Sequence, residues 1–89
     1  MGEILNAIVL SADGAACATP GYFWGAIVDG AGAVDIYDSA SAAGKKIATI
    51  TATAATTTIP VMLARPVKCQ NGIYVDLTGN VVTVFFEAA

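Results

Sequence analysis

The chain has no histidine and only four cationic side chains, Lys45, Lys46, Arg65 and Lys68. Without histidine it lacks the side chain most used for general acid–base work and for metal ligation near neutral pH. Two of the cations are adjacent and the other two lie three apart, too sparse for a footprint on a phosphate backbone. No nucleic acid is expected as a partner. Cysteine is scarce too: Cys17 and Cys69 stand about fifty residues apart, far from any zinc spacing, with no further Cys or His to complete a site. Two buried thiols are expected, with one long-loop disulfide as the alternative. No apolar run reaches the length of a membrane-spanning helix, so no membrane partner is expected. The opening MGEILNAIVLS carries Glu3 where a secretory leader has a basic region, and Asn6 where a myristoylation motif has Ser or Thr. These features place the chain in the cytoplasm or in an assembly made there.

What remains is apolar and small. Hydrophobic residues make up 56% of the 89, much of it Ala, between β-branched runs rich in Thr and Gly. The length predicts a single domain over residues 1–89, of a size that gains stability by oligomerising. Charged residues are 12% against roughly 25% in soluble domains, and the formal net charge is -3. That deficit implies a surface partly buried against partners. The alternative is a monomer coated in Thr, Ser, Ala and Gly.

Punctuation along the chain predicts an all-β fold, a small antiparallel β-sandwich or barrel of about seven short strands. Ile4 to Ser11 is an apolar run of strand length, followed by turn signals at Asp13-Gly14 and Pro20-Gly21. Tyr22 to Val28 follows; strict alternation puts Tyr22, Trp24, Ala26 and Val28 on one face and Phe23, Gly25 and Ile27 on the other. After Asp29 to Gly32, Ala33 to Tyr37 alternates as a half-buried strand. Asp38 to Gly44 reads as a connection in which Asp38 or Ser39 caps one helical turn. Lys45 to about Thr51 is a strand with a bulge or bend, and TATAATTT (51–58) is its end plus a loop. Ile59 to Leu63 has Pro60 near its start, as an edge strand does; Arg65-Pro66 breaks the run before a short Val67 to Cys69. Asn71-Gly72 predicts a hairpin into Ile73 to Leu77. Thr78 to Asn80 predicts a second tight turn into Val81 to Phe86.

No constellation suits catalysis or a cofactor. Asp13, Asp29 and Asp38 sit in turns, where carboxylates act as caps or are solvated. Asp29 to Asp35 lacks the oxygen density of a calcium loop, and Gly30 and Gly32 precede no helix that could cradle phosphate. No enzyme activity, metal or cofactor is expected. The aromatic run Tyr22-Phe23-Trp24 is the exception to this blandness. Three adjacent aromatics cannot share one face of a strand, so at least one faces away from the core. Tyr22, Phe23, Trp24 and Ile27 are therefore the candidate interface residues, with packing in the monomer's own core as the alternative for the aromatics.

The segments GAIVDGAGAVDIYDSASAAGKKIATI, Ile59-Pro60, CQNGIYVDLTGN and VTVFF resemble small β-structured virion proteins of tailed bacteriophages. The likeness covers about residues 22 to 86, carried by Asp35 to Asp38, Asn71 to Asp76 and Thr78 to Asn80. It implies a structural role in the virion, in a chain made in the host cytoplasm: first a capsid decoration or cement subunit, as a homo-oligomer in contact with other virion proteins such as the major capsid protein. Alternatives are a head–tail joining or tail component, and a carbohydrate-binding adhesion module stacking sugars on Tyr22, Trp24 or Tyr74.

Overall fold

The computed structural model describes residues 5–41, 44–53 and 58–89. They form eight strands: β1 (Asn6–Leu10), β2 (Gly14–Cys17), β3 (Gly21–Asp29), β4 (Gly32–Asp38), β5 (Lys45–Ala52), β6 (Thr58–Cys69), β7 (Ile73–Leu77) and β8 (Val81–Ala88). Two four-stranded antiparallel sheets result, in the orders β1-β8-β3-β6 and β2-β7-β4-β5. Their pairs include β1 with β8, β2 with β7, β3 with β6 and β4 with β5. The chain is thus one long hairpin of four strand pairs wound on itself, which is the connectivity of a jelly roll.

Only β4 and β5 are both consecutive in sequence and hydrogen-bonded neighbours; the other connections pass from one sheet to the other. This corrects the two expected hairpins. Asn71-Gly72 and Thr78 to Asn80 make tight turns, and Gly72 and Gly79 have positive φ, 118° and 77°. Yet β6 lies in one sheet, β7 in the other and β8 back in the first, so both turns are corners between layers. The Asn71 N–H donates to Asp38 Oδ1 at 2.9 Å and the Ser39 N–H to the Gly72 carbonyl at 3.1 Å. These bonds tie the β6–β7 corner to the end of β4 and supply partners that a hairpin ladder would have supplied.

The strand count also differs from the expected seven. Gly14–Cys17, read only as a connection, pairs with β7, and Arg65-Pro66 does not end β6, which runs on to Cys69. β6 is an edge strand, as Pro60 signalled. The helical turn proposed within 38–44 and the loop within 51–58 fall partly on residues outside those described.

The core lies between the sheets. Phe23, Val28, Val82 and Val84 from one layer meet Val34, Ile36, Ile73 and Val75 from the other, all of them essentially buried. Each such side chain contributes about 1.5–3 kcal/mol on leaving water. Small residues, Ala16, Ala26 and Ala52, complete the buried cluster.

Candidate functional site

A bulge in β3 decides which aromatics reach the surface. Against β8, Phe23 stands opposite Phe86 and the next pair is Gly25 opposite Phe85, leaving Trp24 as an extra residue. The extra residue resets the alternation. Phe23, Ala26 and Val28 therefore point inward, while Tyr22, Trp24 and Ile27 are only partly buried. Strict alternation had grouped Tyr22 and Trp24 with Ala26 and Val28; the bulge separates them. Phe23, named as an interface candidate, is 2% exposed and belongs to the monomer's core. Tyr22, Trp24 and Ile27 keep a surface position.

The residue that follows the extra one has to be small. On the other side of β3, β6 runs so close to Gly25 that a Cβ there would strike the Val61 carbonyl oxygen, with Met62 Sδ at 2.7 Å. Between the pairs Gly25–Met62 and Phe23–Val67, β6 makes room with the longer excursion Leu63 to Pro66.

The registers then fix the outer face of the β1-β8-β3-β6 sheet. Across the four strands, Val9, Thr83, Ile27 and Pro60 form one row, and Ala7, Phe85, the Trp24-Gly25 bulge and Met62 form the next. Glu87, Tyr22 and Lys68 form a third. Val9 is 65% exposed and Met62 54%, with Val81 also exposed at the sheet's end. The Trp24 indole N–H reaches Glu87 Oε1 at 3.5 Å. This is a broad apolar surface with polar groups at both ends, Glu87, Tyr22 and Lys68 at one and Asp29 with Thr58 at the other, of the kind that marks a contact site.

The outer face of the other sheet is polar. Tyr37 stands directly opposite Tyr74 and Asp35 opposite Asp76. Thr49 Oγ1 donates to Asp35 Oδ1 at 2.8 Å, and Lys46 Nζ lies 3.6 Å from Asp35 Oδ2. Asp13 Oδ1 accepts from the Leu77 N–H at 2.7 Å. The neighbouring Asp13 carboxylate pushes the Asp76 pKa up. Among the described residues, no three His, Cys, Asp or Glu side chains converge as metal ligands, and no pocket opens.

Both cysteines are free and buried, as expected of two thiols. Sequence reasoning missed Val9, Met62, Val81 and Phe85 as companions of Trp24. Their outward alternation is visible in β1 and β8, but only the non-local pairing of β8 with both β1 and β3 gathers them on one face. The chain matches no protein-family model, no curated protein and no solved structure.

Proposed function

We propose that this chain is a structural subunit without enzymatic activity, acting through protein–protein contacts in the manner of a capsid decoration or cement protein of a virion. The observation that carries the reading is the contrast between the two outer faces: one polar and hydrogen-bonded, the other apolar from Val9 to Met62. The apolar face takes a second copy of the chain. The Cα trace spans 38 × 29 × 18 Å, so one broad face is large enough for the about 800 Å² per partner that a stable interface buries. Its polar row is self-complementary. A two-fold axis along β3 exchanges β8 and β6, setting Glu87 of each copy against Lys68 of the other. Two features support the virion setting: the resemblance over residues 22 to 86, and the jelly roll itself, which recurs in capsid domains. The same fold recurs in lectins, so fold alone does not choose between them.

The test is sedimentation of the purified chain and of Val9→Lys, with far-UV circular dichroism on both. Val9 is mostly exposed, so the variant keeps its fold. Self-association lost in the variant supports the reading, and a wild-type monomer at high micromolar concentration refutes self-assembly through this face. Binding of the assembled protein to a capsid shell, at hundreds of copies per particle, separates decoration from a ring-forming joining or tail role.

One observation favours a carbohydrate-binding reading: Tyr37 and Tyr74 lie side by side on the polar face, flanked by Asp35 and Asp76. Glycan binding that is lost in Tyr74→Ala would select it.

A further inference from the structure

We propose that Cys17 and Cys69 are a site of covalent cross-linking, forming a disulfide between the two sheets when the folded chain meets a small disulfide oxidant such as oxidised glutathione. Cys17 ends β2 in one sheet and Cys69 ends β6 in the other. Cys69 stands directly opposite Gly21 at the start of β3. Residues opposite each other in an antiparallel pair project to the same side, with Cβ positions about 4.5–5.5 Å apart. Gly21 has no side chain, and Cys17 Sγ lies against it: a Cβ on Gly21 would lie 3.3 Å from that sulfur. The Cys17 sulfur therefore sits on the bare backbone beside Cys69, within the same buried corner.

Neither thiol is held by a strong bond. Cys17 Sγ donates to the Thr19 carbonyl at 3.2 Å, and Cys69 Sγ approaches the Val67 carbonyl at 3.8 Å. The cross-link requires the two sulfurs to leave these carbonyls by rotation about χ1. Burial first, then the charges of Asp38 and Cys17, push the Cys69 thiol up to about 11; Cys69 is fully enclosed while Cys17 keeps a little exposure, so the oxidant meets Cys17 first. Its thiolate attacks glutathione disulfide and releases one glutathione thiolate. The Cys69 thiolate then attacks the Cys17 sulfur of the mixed disulfide and releases the second. Two electrons pass from the cysteine pair to the oxidant, which leaves as two glutathiones.

The experiment incubates the native chain with oxidised glutathione at pH 8.5, followed by intact mass, free-thiol count and thermal melting. The expected product, by intact mass under denaturing conditions, is a single chain lighter by two hydrogens, with no free thiol. Closing a loop of about fifty residues should raise Tm by about 10 °C or more. Cys69→Ser should stop at a glutathione adduct on Cys17. The proposal is overturned if the native chain keeps both thiols while the urea-unfolded chain oxidises. It is also overturned if wild type stops at the adduct, or if the cross-linked protein melts lower than the reduced one.

Discussion

Adjacent residues Phe23 and Trp24 should respond oppositely to truncation. Phe23 is 2% exposed and packs between the sheets, opposite Phe86. Phe23→Ala removes its burial and leaves a cavity that close-packed neighbours cannot fill, costing about 3–5 kcal/mol. A domain of 89 residues has roughly 4–13 kcal/mol in all, so this loss is a large share of the total. Trp24 lies along the outer face, partly in water, with one long hydrogen bond to Glu87. Trp24→Ala opens no internal cavity and should cost about 1–2 kcal/mol of folding stability. Its larger effect falls on association, where losing a central aromatic anchor often costs 2 kcal/mol or more. In urea, at about 2 kcal/mol per molar, the midpoint should fall by about 2 M for Phe23→Ala and by less than 1 M for Trp24→Ala. Sedimentation at dilutions bracketing the wild-type transition should show folded Trp24→Ala dissociating first. If Trp24→Ala proves the more destabilising to the fold, the phase change at the β3 bulge is wrong, and the account of the contact face falls with it.

Gly25→Ala should lose about 1–3 kcal/mol by urea melting, since its Cβ meets the Val61 carbonyl and Met62 Sδ, and only the second can swing away; an unchanged midpoint would mean that β6 does not run this close. Gly72→Val should lose at least about 1–2 kcal/mol, because φ is 118° there and a Cβ would sit 2.8 Å from the Cys17 carbonyl oxygen. Asp76→Asn should stabilise the protein at neutral pH, read as a higher Tm. The Asp76 pKa is raised, first by Asp13, so its contribution is fully present below the unfolded pKa and is lost as pH rises through the folded one. The variant's advantage should therefore grow from pH 3 to pH 7, and a gain equal at both ends would contradict the Asp13 repulsion.

The sequence made local features legible. The alternation of β4, β7 and β8, the positive φ of Gly72 and Gly79 and the edge position of Pro60 all follow from residue types within a few positions. What it hid is set by non-local contacts. Asn-Gly marks a reversal of the chain, and a reversal within a sheet and a corner between sheets use the same backbone angles. The difference lies in bonds to Asp38 and Ser39, more than thirty residues away. The β3 bulge was hidden for the same reason: Gly25 reads as one more member of an apolar strand until β6 is laid beside it. Both misreadings of the candidate site, the faces of β3 and the exposure of Phe23, descend from that single residue.

The two faces differ in what their side chains have to bond with. On the polar sheet, Asp35 has Thr49 and Lys46, and Asp13 has the Leu77 amide. On the outer face of the apolar sheet, Trp24 bonds Glu87 and Thr58 bonds Asp29. The middle, Val9 to Met62, has only surface to offer. A low charge content lowers the cost of drying such a face, and the edge strand β6 carries Pro60 and Pro66, which discourage association edge to edge. The proposed self-assembly uses the face rather than the β6 edge, and a subunit that stacks through one face keeps its polar face and its loops free for a second surface. The role proposed above, self-assembly together with coverage of another structure, draws on that division, and the contact face, rather than any single residue, is therefore the feature to test.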